Sequence, residues 1–140
     1  MSLKKVGELV IPSSLDHLAD IDRFTEKTIK KLALPHQILD DIAITLSEAV
    51  NNAMVHGNKL DAKKKVKIRF YTSSRYLRLI VQDEGRGFSP ESVSDPRQNE
   101  NLLKTSGRGI LIIRHLMDRV RFVQRKAGMQ IIMDKFYPIG

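Results

Sequence analysis

The 140-residue chain has no cysteine, so no disulfide framework and no thiolate zinc site is available to it. Its apolar runs all fall short of the ~20 residues that cross a bilayer as a helix. The opening Met1-Ser2-Leu3-Lys4-Lys5 leads into strand-like sequence rather than the apolar core of a signal peptide, which gives a soluble cytoplasmic protein as the expectation. Aromatic residues make up only 6% of the chain, too few for a base-stacking platform, and there is neither a zinc-ligand spacing nor a helix-turn-helix signature. Direct binding to nucleic acid is therefore not expected. A Gly-x4-Gly-Lys-Ser/Thr phosphate loop is missing, as are internal repeats and low-complexity tracts.

A formal net charge of +8 is present instead, concentrated at Lys63-Lys64-Lys65-Val66-Lys67-Ile68-Arg69, at Arg75 and Arg78, and at Arg119, Arg121, Arg125 and Lys126. Such a surplus draws acidic partners, although solvated sheet edges and turns account for most of these positions. The length suits one domain over residues 1–140, able to bury roughly two-thirds of its unfolded surface without a covalent staple.

Local periodicity predicts the elements. Val6-Gly7-Glu8-Leu9-Val10-Ile11-Pro12 reads as a strand stopped by its proline. Ser13 or Ser14 can cap a helix whose apolar positions, Leu15, Leu18, Ile21, Phe24, Thr28 and Leu32, recur at steps of three and four. Pro35 suits the first turn of a second helix with Ile38, Ile42, Leu46, Ala49 and Ala53 as its buried stripe. Strict alternation in Val66-Lys67-Ile68-Arg69-Phe70-Tyr71 and in Leu77-Arg78-Leu79-Ile80-Val81-Gln82 predicts an antiparallel hairpin. Residues 89–106, polar and with Pro90 and Pro96, are too long for a plain connection and predict a lid over about 89–108. A helix over 110–117 and a closing hairpin, 120–123 with 129–136, complete an α+β chain: an antiparallel-rich mixed sheet with helices gathered on one face, a two-layer α/β sandwich.

Three segments carry chemistry. In Leu46-Ser47-Glu48-Ala49-Val50-Asn51-Asn52-Ala53-Met54-Val55-His56-Gly57-Asn58, a continuous helix would stack Glu48, Asn52 and His56 on one face. The Asn52 amide oxygen can ligate Mg²⁺, and Glu48 one turn earlier can polarise a hydroxyl or water. The same spacing also suits an ordinary amphipathic helix with a polar outer face. Asp83-Glu84-Gly85-Arg86-Gly87 follows an apolar strand. A carboxylate there can accept from the exocyclic amine of adenine and would repel the acceptor that guanine offers, while Gly85 and Gly87 leave room for a base or ribose. A plain turn after a strand reads the same way. Lys104-Thr105-Ser106-Gly107-Arg108-Gly109 opens a helix, whose free N–H groups can face phosphate oxygens, with Lys104 and Arg108 adding positive charge; an ordinary glycine-started helix fits as well.

Order and spacing decide between these readings. Glu-x3-Asn-x3-His on a helix, then Asp-x-Gly-x-Gly after a strand, then Gly-x-Gly before a helix, resembles the GHKL ATPase superfamily with its Bergerat fold. Ser47-Glu48-Ala49-Val50-Asn51-Asn52-Ala53, Asp95-Pro96 through Gly109, and Leu116-Met117-Asp118 are similar to the anti-sigma-factor serine kinases. The resemblance implies that Asn52 ligates Mg²⁺, Glu48 is the catalytic base, Asp83 binds adenine, and Gly85, Gly87, Lys104, Thr105, Ser106, Gly107, Arg108 and Gly109 shape the ATP pocket and lid. It further implies a homodimer that phosphorylates a serine of a STAS-domain anti-anti-sigma protein and sequesters a sigma factor. A nucleotide-dependent binding module without kinase activity and a histidine-kinase-like ATP module are the alternatives. No second helical hairpin offers a phosphoacceptor histidine, and His17, His36 and His115 are expected at the surface.

Overall fold

A computed structural model describes residues 3–85 and 108–137. Strands β1 (Lys4–Pro12), β2 (Lys65–Thr72), β3 (Tyr76–Gln82), β4 (Arg119–Arg125) and β5 (Gly128–Phe136) form one sheet in the order β1-β2-β3-β5-β4. Each of its four ladders is antiparallel. Helices α1 (Leu18–Lys30), α2 (His36–Asn51) and α3 (Gly109–Leu116) complete the α+β architecture.

Pairing explains why the apolar alternation of each strand points one way. Ile68 stands opposite Val81 and Phe70 opposite Leu79, while Val81 and Leu79 in turn face Ile131 and Met133. This row is buried together with Ile42, Leu46, Ala49 and Val50 of α2 and Ile21 and Ile29 of α1, so the core is the layer between helices and sheet. Phe24 of α1 meets Phe70 of β2 at 5.4 Å between ring centroids. The opposite residues of the same strands, Lys67, Arg69, Arg78, Arg119, Arg121 and Arg125, share the other sheet face, which gathers these members of the basic clusters onto one surface. At its centre Asp134, 1% exposed, accepts from Arg78 Nε at 2.7 Å and Arg119 Nε at 2.7 Å. Burial alone would push the Asp134 carboxyl up, but these guanidinium hydrogen bonds hold it below the usual carboxylate range.

Local structure departs from the periodic expectation in two places. Ser14, not Ser13, caps the first helical turn: its Oγ accepts from the Asp16 N–H at 3.3 Å and starts a short 3₁₀ turn, Leu15–His17, so α1 proper begins at Leu18. Ser13 is buried and spends its polar groups elsewhere, donating its N–H to the Lys64 carbonyl at 2.9 Å. The second departure bears on the site. The helix expected to run evenly through Ala53 and His56 changes at Asn52 into a π-helical turn, Asn52–Gly57.

Candidate functional site

The π-helical turn ends with the Asn58 N–H donating to the Ala53 carbonyl at 2.8 Å. Bonds of the i→i+5 kind place more than four residues in a turn, so His56 is not carried onto the Glu48–Asn52 line as an even α-helix would carry it. The Met54 carbonyl, left without its α-helical partner, accepts from the Leu60 N–H at 2.7 Å and the Ser13 hydroxyl at 3.4 Å. A wide turn of this type costs regular bonding, and here it delivers two residues to a second element: Gly57 and Asn58.

That second element is the turn after β3. Asp83 extends the β3–β5 ladder through its N–H, which donates to the Met129 carbonyl at 3.0 Å. Its carboxylate Oδ1 accepts from the Met129 N–H at 3.1 Å and the Gly85 N–H at 2.9 Å. Oδ2 points at Gly57, where a Cβ would lie 2.0 Å from it. Asp83 is only 5% exposed. Burial pushes its carboxyl above the usual aspartate range, against the pull of the two backbone donors and of the Lys64 charge.

Glycine is required around this turn for a concrete reason. A Cβ at Gly85 would sit 2.0 Å from the Gly57 carbonyl oxygen, and one at Gly128 would sit 1.8 Å from the Asp83 carbonyl oxygen. Gly128 also has φ +146°, a conformation side-chain-bearing residues rarely adopt. Asn58, 1% exposed, fastens the assembly: its Oδ1 accepts from the Glu84 N–H at 2.7 Å and its Nδ2 donates to the Lys65 carbonyl at 3.0 Å. The Glu84 carboxylate in turn accepts from the Lys65 N–H. Gly57, Gly128 and Met129 thus meet Asp83 directly, and Asn58 holds the adjoining Glu84; the sequence places Gly57 and Asn58 only as the close of the helix beside the site, and does not single out Gly128 or Met129. The only local hint was a Gly-Asn pair ending a helical pattern, which by itself marks a helix stop.

The other half of the site lies at the start of the π-helical turn. Glu48, half-buried on α2, reaches the first residue of α3, since a Cβ on Gly109 would stand 2.8 Å from Glu48 Oε2. α3 begins at Gly109 behind Arg108, whose side chain makes no capping bond, so the carboxylate lies at the end where the helix dipole favours negative charge. One turn beyond Glu48, Asn52 Oδ1 is buried and, among the described residues, has no hydrogen-bond donor.

Such an orphaned amide oxygen is costly unless a donor or cation meets it. Among the described residues there is no cluster of three or more His, Asp or Glu side chains able to hold a metal on their own. A divalent cation at Asn52 would therefore take most of its ligands from phosphate and water, which is the habit of Mg²⁺ in nucleotide sites. The residues present fit that group.

The fold brings Glu48, Asn52 and Gly109 together at one end of the π-helical turn, and Asp83 with Gly85 at the other. Arg108 is exposed at the head of α3. Gly87, Lys104, Thr105, Ser106 and Gly107, with nearly all of the expected lid, lie outside the described residues. His17 is half-buried with Nδ1 3.1 Å from Asp20 Oδ2, whereas His36 and His115 are exposed. Among the described residues no helix is long and apolar enough to cross a membrane.

Residues 11–135 match the histidine kinase-like ATPase domain. The serine-protein kinase RsbW of Bacillus subtilis (strain 168) is 28% identical over 135 residues, covering 92% of this chain and 84% of the relative. The protein of the same name from Bacillus licheniformis is 29% identical over 138 residues with the same coverage. That of Staphylococcus aureus (strain MSSA476) is 26% identical over 136 residues, covering 92% of this chain and 85% of the relative.

Proposed function

Because this chain belongs to the histidine kinase-like ATPase domain family, matched over residues 11–135, we propose that it is an ATP-dependent protein serine kinase of a partner-switching system. Its phosphoacceptor is a serine on a STAS-domain anti-anti-sigma protein, and it also holds a sigma factor. The relatives named serine-protein kinase support the reaction class. The observation that carries the reading is the buried Asn52 Oδ1, which has no donor among the described residues, one turn from a carboxylate placed beside the head of α3.

Mg²⁺ would supply charge neutralisation between the phosphates. Asn52 would hold it with a neutral oxygen, adding no negative charge beside phosphates that already carry several. Glu48 accepts the proton of the serine hydroxyl as its oxygen bonds the γ-phosphorus and the bond from that phosphorus to ADP breaks, with ADP leaving; the carboxylate is placed for this at the head of α3, beside Gly109. Asp83 Oδ2, with Oδ1 already occupied by two backbone donors, accepts from the adenine amine. Gly85 and Gly87 keep side chains out of the base pocket. Lys104, Thr105, Ser106, Gly107 and Arg108 belong to the segment that closes over the phosphates. A homodimer, implied by the family resemblance, completes the reading.

The test is transfer of labelled γ-phosphate from Mg·ATP to purified STAS-domain proteins, with the modified residue mapped by mass spectrometry. One acid-stable phosphoserine, lost on chelation of Mg²⁺, is the expected product. Acid-labile phosphohistidine would move the chain to the histidine-kinase-like alternative, and nucleotide binding without any product would make it a binding module.

The raised Asp83 carboxyl adds a signature in pH. Folded Asp83 holds its proton at a pH where the unfolded chain has released it, so this group's contribution to stability grows as pH falls through the folded value toward 3.8. ATP affinity moves in the opposite direction, because the protonated carboxyl no longer accepts from adenine on equal terms. Nucleotide titrations across mildly acidic pH should therefore show weakening that begins above the ordinary aspartate range, with no accompanying loss of fold in circular dichroism. The variant Asp83→Asn should bind more weakly and lose this pH dependence; an unchanged pH profile in that variant removes Asp83 from adenine recognition.

A further inference from the structure

On the helical side, α1 and α2 leave a groove of about 590 Å³ between them. Leu39 and Ala43 give it an apolar floor laid over the buried core residues Ile21, Ile29 and Leu46, and the rim carries Asp22, Glu26 and Asp40 on exposed positions. We infer that this groove is a docking site for a basic amphipathic helix of a partner protein. The inference does not depend on phosphoryl transfer at the neighbouring site.

Three observations select that occupant. The groove follows α2 from His36 to Ser47, about three turns or ~16 Å at 1.5 Å per residue, which suits three turns of a partner helix. Its walls are side chains of two helices and offer no strand edge, so an extended peptide would leave its own N–H and C=O groups unpaired over an apolar floor, whereas a helix satisfies them internally. Charge then sets the sign. Asp20 and Asp41 on these same helices are already paired, with Arg23 and His17 and with Lys135 Nζ at 3.1 Å respectively. Asp22, Glu26 and Asp40 have no ion-pair partner among the described residues, and all three border the groove.

The rim also has polarity. A connection of five residues, 31–35, joins the helices, so Lys30 and His36 share one end of the groove and Asp22 and Ser47 the other. A matching helix places its Lys and Arg residues against Asp22, Glu26 and Asp40, and an acidic residue against Lys30 and His36. Because the chain as a whole is +8, its long-range field repels a basic peptide. Binding of one at this groove must come from the local carboxylates and the apolar floor.

The experiment uses the full chain, labelled with ¹⁵N, and a synthetic amphipathic helix with leucine at i, i+3, i+4 and i+7 flanked by lysine and arginine. Saturable amide shifts confined to α1 and α2 are expected. A glutamate-flanked version of the peptide, and the surface variant Asp22→Lys/Glu26→Lys with the original peptide, should each bind at least about tenfold more weakly, a loss of about 1.4 kcal/mol or more. Absence of shifts in α1 and α2, or equal affinity of the variant, overturns the proposal. So does the appearance of the same shifts on raising protein concentration without peptide, which would assign the groove to a second copy of this chain.

Discussion

Phosphoryl transfer is expected to fall by about 10²–10⁴-fold in Glu48→Gln, the range ascribed to a positioned general base, while ATP affinity is retained. The exchange preserves the shape of the side chain and its contact with Gly109, so the half-buried surface between α2 and α3 is undisturbed. What is lost is a group able to take the serine proton. Single-turnover transfer rates report the first effect and a separate nucleotide titration the second. Full transfer by the variant would leave Glu48 a structural contact of α3 and nothing more.

The largest structural effect is expected from a single methyl group, Gly57→Ala. The added Cβ would fall 2.0 Å from Asp83 Oδ2 and 2.5 Å from Cγ. Asp83 cannot swing aside freely, because Oδ1 is held by the Met129 and Gly85 N–H groups. Displacing it strands two buried donors, at ~1–3 kcal/mol each, so stability should drop by about 2–4 kcal/mol once partial relaxation is allowed. ATP affinity should fall with it, since the displaced carboxylate is the one assigned to adenine. Gly7→Ala is the control. Its Cβ would meet only side-chain atoms of Phe24 and Thr28 at 3.1–3.2 Å, and a shift of tenths of an ångström relieves it, so the cost should stay below ~1 kcal/mol. Urea midpoints of the two variants decide the matter; a wild-type midpoint and nucleotide affinity for Gly57→Ala would mean that the Asp83 turn has room to give.

Legibility of the fold tracked the range of the forces involved. The β2–β3 hairpin was readable because alternation of Val66, Ile68 and Phe70 with charged neighbours is a local property, and the sheet honours it by burying that row completely. The stripe of α2 was readable for the same reason, up to Ala49 and Ala53. Beyond Asn51 the expectation of an even helix failed. Nothing in Ala53-Met54-Val55-His56 opposes α-helix locally; the π-helical turn is held by partners such as Ser13, 41 residues away from Met54.

The site divides along the same line. Glu48, Asn52, Asp83, Gly85 and Gly109 stood out because their residue types and spacings repeat a family pattern within short windows. Gly128 and Met129 did not, and Gly57 and Asn58 read only as the close of the helix beside the site, since each matters through what it touches. Asn58 reaches Glu84 across 26 positions and Met129 reaches Asp83 across 46.

The amino-acid sequence by itself determined the family, the α+β class and the faces of its strands and helices, because periodicity and short motifs are written in neighbouring residues. Tertiary structure alone decided the strand order β1-β2-β3-β5-β4, the unwinding of α2 into a π-helical turn, and the enclosure of Asp83 by three glycines. Those outcomes depend on which distant backbone groups must share one dry space, where every N–H and carbonyl needs a partner and no added carbon atom has room.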